Sequence, residues 1–151
     1  MRVYFADDSP MERTLLSAVL ANIPGLEARG FDNGLDLWFE CLECIPDLVL
    51  VDLMLTSLGG LDFLTLLRAH QQWSQIPPVL VVSSMAPEKV ESQVLHAGAQ
   101  AFFHKPFSPD ALEKAVRGYM LLKGKVGARV YHRDPTPPAA LQDRRVALPR
   151  D

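Results

Sequence analysis

Hydrophobic positions along the chain repeat with two alternating periods. "RVYFA" (2–6) predicts a short strand, and "SPMERTLLSAVLAN" (9–22) a helix with Leu15, Leu16, Val19 and Leu20 on one face. Ser9 at N-cap, Pro10 at N1 and Glu12 at N3 make a capping box for that helix. "NIPG" stops it; "LEARGF" (26–31) reads as a second strand and "NGLDLWFECLEC" (33–44) as a second helix. "DLVLVDLML" (47–55) is the strongest strand pattern, apolar on both faces as a central parallel strand should be. After "LGG" comes a helix, "LDFLTLLRAHQQW" (61–73), then a doubly buried strand, "PPVLVVSS" (77–84). Pro87 opens "PEKVESQVLHA", which Gly98 ends, and "AQAFFHK" (99–105) is the fifth strand. Ser108-Pro109 repeats the cap pairing before "DALEKAVRGYMLL" (110–122). Five strands alternating with five helices over short connections predict an α/β fold. The sheet is expected to be parallel, covered on both faces, with right-handed crossovers.

Composition fits one domain. At 151 residues the chain can bury a real core but is too short to expect two. With 48% apolar and 22% charged residues it has ordinary soluble-globular character. No apolar run reaches the length of a membrane span, and the few residues before Asp7 make no signal peptide, so the expectation is a cytoplasmic protein without membrane insertion. Cys41 and Cys44 form a C-x-x-C, but no second cysteine pair or close histidine pair completes a zinc site. Both are read as small helix residues, with no structural disulfide. The net charge of −3 hides an asymmetry: residues 1–122 carry eight Lys and Arg against fifteen Asp and Glu, residues 123–151 seven against three. The body is acidic and the tail basic.

In parallel sheets of this kind ligands bind beyond the carboxyl ends of the strands. There the first strand ends at Asp7-Asp8, the third carries Asp52, the fourth ends at Ser83-Ser84 and the fifth at Lys105-Pro106. Each has an ordinary reading by itself: a turn aspartate, a hydroxyl capping a helix, a lysine extending from a strand end. Together they pose an electrostatic problem. Two carboxylates about 4 Å apart repel by roughly 4 kcal/mol at an effective dielectric near 20. Protonation relieves that, or a cation does, and Lys105 supplies one charge. An oxygen-rich cluster suits Mg²⁺, which accepts a few carboxylates, keeps waters and takes a phosphate oxygen. Beside a hydroxyl and an ammonium, this suggests phosphoryl chemistry with Asp52 as nucleophile.

The acidic pair "DD" (7–8), "LVLVDLML" with Asp52, "PVLVVSS" with Ser83 and "FFHKPF" with Lys105-Pro106 resemble, in order and spacing, a response regulator receiver domain. The resemblance covers about residues 2–122 and implies a flavodoxin-like fold of strand order 2-1-3-4-5. It implies Mg²⁺, with Mn²⁺ as a substitute, held by Asp8 directly, by Asp7 through water, by Asp52 and by the backbone carbonyl of Met54. Asp52 would accept a phosphoryl group from a histidine kinase or phosphotransfer protein, and Lys105 would pair with it. The peptide before Pro106 would be cis. Ser83, with Ser84 beside it, and Phe102 would form the switch that repacks the face of the fourth helix, fifth strand and fifth helix for a protein partner. The chain would then be a signalling module rather than an enzyme, with slow self-dephosphorylation. Met54 and Met85 occupy positions that tune phosphate lifetime; both are bulky and apolar, so a long-lived acyl phosphate is expected.

The sequence departs from the family at "DLMLTSLGG", with Thr56 where Pro is common and Gly59 where an acid or Asn is common. These changes reshape the loop without removing a ligand. Residues 123–151 are too short for a DNA-binding output domain; they are expected to be flexible or loosely docked, or to bind an acidic surface through Arg144-Arg145. Direct DNA binding is not expected, and a homodimer is left open. Competing readings are a receiver piece of a transcriptional or enzymatic regulator and a phosphorylation-independent adaptor. An aspartate-nucleophile phosphatase usually has Asp-x-Asp after the first strand, whereas this chain has adjacent acids. A flavodoxin-type redox protein needs a phosphate-binding first loop, which "ADDSPME" would repel.

Overall fold

The computed structural model describes residues 1–70 and 76–126, with side chains as far as residue 122. The strands are β1 (Arg2–Ala6), β2 (Glu27–Phe31), β3 (Leu48–Val51), β4 (Val79–Ser83) and β5 (Ala101–His104). The helices between and after them are α1 (Pro10–Ala21), α2 (Gly34–Glu43), α3 (Gly60–Ala69), α4 (Pro87–His96) and α5 (Pro109–Val126). All strand pairs are parallel, in the order β2-β1-β3-β4-β5. This is the flavodoxin-like arrangement expected from the sequence.

Strand alternation builds two separate cores. Tyr4, Ala6, Val49, Val51, Val79 and Val81 face one side, where Trp38, Phe63, Leu64 and Leu67 cover them. Val3, Phe5, Leu48, Leu50 and Leu80 face the other, against Leu16, Leu20, Leu112 and Val116. Every residue of β3 is buried, as its continuous apolar run demands. Burying each large aliphatic side chain contributes roughly 1.5–3 kcal/mol, so the central strands are anchored from both sides. The helix starts follow local chemistry. Ser9 Oγ accepts from the Glu12 amide at 3.3 Å, and Asn33 Oδ1 from the Asp36 amide at 2.8 Å. Gly98, with φ of +111°, turns the chain out of α4 as its position predicts.

Several element limits differ from the sequence reading. Leu15 is 39% exposed, so the buried face of α1 is Leu16, Val19 and Leu20. β3 stops at Val51, leaving Asp52 as the first residue beyond it, where the backbone turns towards α3. Helix α3 ends at Ala69: His70 is extended, and its ring meets Trp38 edge-on at 5.8 Å. The expected helical residues 71–73 lie outside the described residues. Helix α5 runs four residues past the expected boundary at 122, through Gly124, with no proline to stop it. The remainder of the basic tail lies outside the described residues. Cys41 is buried and Cys44 half-buried, both as free thiols, and burial pushes the Cys41 thiol well above its usual range.

Candidate functional site

The parallel register brings the strand ends to one rim. The Asp7 amide continues the β1–β2 ladder to the Phe31 carbonyl (3.1 Å), and the Asp52 amide donates to the Ala6 carbonyl (3.1 Å). The Lys105 amide donates to the Ser83 carbonyl at 2.8 Å. Asp7, Asp52 and Lys105 are thus each held by a backbone bond to a neighbouring strand. Asp7 and Asp52 are buried and Asp8 is exposed; one carboxylate oxygen from each lies within 4.8 Å of the others. Among the described residues, this is the group of acids, cysteines or histidines close enough to share a metal ion.

Lys105 reaches over the rim and bridges two of them, with Nζ donating to Asp7 Oδ2 at 2.6 Å and to Asp52 Oδ2 at 2.9 Å. The second oxygens are also bound: Asp7 Oδ1 accepts from the Ser9 amide (2.9 Å), Asp52 Oδ1 from the Met54 amide (3.0 Å). Burial pushes the Asp7 carboxyl above its ordinary value of 3.8; Lys105 and the Ser9 amide oppose this, and the Asp52 charge adds to it. Burial alone would lower the Lys105 ammonium, but its bonds to Asp7 and Asp52 outweigh that and hold it above 10.5. When all four groups are ionised the site carries two uncompensated negative charges. Three oxygen donors with one open side fit a hard divalent cation such as Mg²⁺.

The structure places the other expected residues with varying closeness. Ser83 is fully buried, and its Oγ accepts from the Met85 amide at 3.1 Å, which leaves its O–H free to donate elsewhere. Phe102 stands opposite Val81 on β4, so it lies on the same sheet face as Ser83, one step back from the rim, and it is half-buried against the core. The Lys105–Pro106 peptide is cis. Ser84 is exposed, and its carbonyl lies 3.3 Å from His104 Nε2. Met54 is 60% and Met85 37% exposed, so both stand at the mouth of the site rather than under it.

Two glycines escaped the sequence reading. A side chain on Gly60 would fall against the backbone carbonyl of Asp52, and one on Gly34 against that of Leu58. The Gly34 amide donates to the Thr56 carbonyl at 3.2 Å, which ties the start of α2 to the loop after Asp52. In that loop the Leu58 amide donates back to Thr56 (2.7 Å) around Ser57, whose φ is +68°: a γ-turn. "NG" before a helix and "GG" after a strand were the available signals. Arg13 was also missed; its Nη1 donates to the Asp7 carbonyl at 2.8 Å and fixes the turn that carries the acidic pair.

Comparison with known proteins accords with this geometry. The family model described as the response regulator receiver domain matches residues 3–117. "Protein-glutamate methylesterase/protein-glutamine glutaminase 5" of Myxococcus xanthus is 35% identical over 143 residues, covering 92% of this chain and 40% of that protein. "Response regulator Rre1" of Synechocystis is 30% identical over 115 residues, 76% of this chain and 49% of that protein. The chain therefore spans half or less of these relatives. Among solved structures, the response regulator domain of Thermotoga maritima CheB superposes with a TM-score of 0.63 at 26% identity, covering 85% of this chain and 96% of that one. No helix among the described residues is long and apolar enough to cross a membrane. With the family model matching most of the chain, on a sheet of order 2-1-3-4-5 with three carboxylates and a lysine at its rim, this chain belongs to the response regulator receiver domains.

Proposed function

We propose that this receiver accepts a phosphoryl group on Asp52 from a histidine kinase or phosphotransfer protein and passes the signal to a protein partner through α4, β5 and α5. The observation that carries the reading is the bridge of Lys105 across Asp7 and Asp52, with Asp8 near enough to share a cation. Asp8, Asp7, Asp52 and the Met54 carbonyl are the residues that would hold Mg²⁺, which supplies charge neutralisation for the incoming phosphoryl oxygens.

An Asp52 carboxylate oxygen forms a bond to phosphorus as the donor's P–N bond breaks, and the departing imidazole nitrogen takes up a proton. Asp52 suits this role because the Met54 amide and Lys105 hold its two oxygens in fixed directions. Lys105 loses one carboxylate partner when Asp52 becomes an acyl phosphate, and its ammonium is then free to follow the charge to a phosphoryl oxygen. The Ser83 hydroxyl, already accepting from Met85, donates its proton to another. Drawing Ser83 to the phosphate frees space along β4, and the half-buried Phe102 turns inward to fill it. The phosphate thereby biases a two-state packing that the α4–β5–α5 face displays. Exposed Leu95, Leu121 and Leu122 on those helices give a partner apolar purchase.

A second reading concerns what the receiver controls. The match to the Myxococcus methylesterase covers 92% of this chain, more than the family domain alone, and so takes in part of the basic tail. That favours a receiver whose tail leads to an enzymatic output domain. In either case incubation with acetyl phosphate and Mg²⁺ should add one phosphoryl group to the wild-type mass and none to Asp52→Asn. Equal labelling of the variant would refute the assignment, and no labelling of either would favour the phosphorylation-independent adaptor.

A further inference from the structure

The outward side of α2 carries two parallel stripes. Leu35, Phe39 and Leu42 recur at i, i+4 and i+7, and so do Asp36, Glu40 and Glu43 immediately beside them. Phe39 and Leu42 are each 40% exposed, and Ile45 prolongs the apolar stripe at 43%. A surface helix ordinarily turns its apolar residues inward; here Leu37, Trp38 and Cys41 already do so, and the outer stripe is additional. Asp36, Phe39, Glu40 and Glu43 also form one wall of a shallow cavity against Arg29 on the open edge strand β2. Arg29 pairs with Glu40 at 2.5 Å; Glu43 is exposed, with no ion pair among the described residues.

The stripe is acidic within an acidic stretch of chain. Residues 27–47 hold six acids and one arginine, of which Asp36, Glu40 and Glu43 lie on α2, while Arg2 sits near Glu40 and Cys44. The positive balance lies in residues 123–151, where "PPAALQDRRVAL" (137–148) sets Arg144 and Arg145, next to Asp143, among Leu141, Val146 and Leu148. Its composition complements an apolar stripe edged with carboxylates. Reach is sufficient. Helix α5 ends at Val126, on the rim where the strands begin, which is also the rim where α2 ends. The ten residues 127–136 span at most roughly 33–36 Å, about the diameter of a domain this size.

We infer that residues 137–148 of this chain dock on the outer face of α2, with the arginines at Asp36 and Glu43 and the apolar residues over Phe39 and Leu42. The contact makes no use of Asp52, so it stands or falls independently of the phosphoacceptor reading.

The test uses the full chain with the photo-crosslinker p-benzoylphenylalanine in place of Phe39, an aromatic replacement at a position 40% exposed on the docking face. Irradiation followed by peptide mapping should place the crosslink within residues 137–148 of the same molecule. The double variant Arg144→Glu/Arg145→Glu should lower that yield at least about fivefold. Raising the salt to about 1 M, where screening acts over roughly 3 Å, should lower it similarly. Asp52→Asn should leave it unchanged. Crosslinks into a second copy, crosslinks elsewhere, or a yield indifferent to charge reversal would overturn the proposal.

Discussion

Lys105 is the residue on which the site's electrostatics turn. Its one charge is shared by two buried carboxylates, 2.6 and 2.9 Å away, while a third carboxylate stands open to solvent. Burial outweighs the opposing bonds from Lys105 and the Ser9 amide and leaves Asp7 with a raised pKa, which sets the sign of its linkage to stability. A carboxyl whose folded value lies above 3.8 contributes stability that is fully present below 3.8 and is lost as pH rises through the folded value. In chelator, the urea midpoint of the wild type should therefore fall over that window relative to Asp7→Asn, and Mg²⁺ should lessen the fall. Parallel pH profiles for the two proteins would contradict the assignment. For Met54 and Met85, exposed beside the site, we propose a role at a different step, hindering the approach of water to an acyl phosphate. On that proposal Met54→Asn and Met85→Glu should each shorten its lifetime. Unchanged dephosphorylation rates in both variants would remove the two methionines from the account.

The elements show why some features were legible in the sequence and others were not. β3 and β4 announced themselves because both faces are buried and nearly every position must be apolar. The caps of α1 and α5 were legible because Ser-Pro can serve the first turn of a helix through local bonds alone. Leu15 was misread because a helical stripe four residues wide does not reveal which edge remains in solvent. The end of α3 was misread because no Gly or Pro marks it; contact between His70 and Trp38, distant in sequence, accompanies it instead. The loop after Asp52 depends on close backbone approaches that no periodicity encodes. That loop is where Gly34 matters most, since any side chain there meets the Leu58 carbonyl. Gly34→Ala should cost roughly 2 kcal/mol or more in denaturant unfolding. Gly118→Ala, in open space on α5, should instead stabilise by about 0.5–1 kcal/mol. Similar effects for the two would argue against a constrained loop.

For the whole molecule, the sheet is packed by a separate core on each side, and its carboxyl rim is where chemistry collects. The four site motifs lie far apart in the chain: Lys105 and Asp7 are separated by 98 residues and joined by one ion pair. Their convergence was legible because alternating strands and helices make a parallel sheet whose strand ends share one rim; the strand order itself was implied only by the family resemblance. The exact division of bonds among the three acids was not legible, since it depends on which side chains the sheet buries. Asp7 and Asp52 are inside and paired with lysine; Asp8 is outside and free to meet a cation. The central claim, that this rim phosphorylates at Asp52, is tested most directly by trapping the product. After reaction with acetyl phosphate and Mg²⁺, borohydride reduces an acyl phosphate of aspartate to homoserine, which peptide sequencing by mass spectrometry locates. The account predicts homoserine at position 52 and at neither Asp7 nor Asp8; homoserine at one of those two, with Asp52 intact, would contradict it.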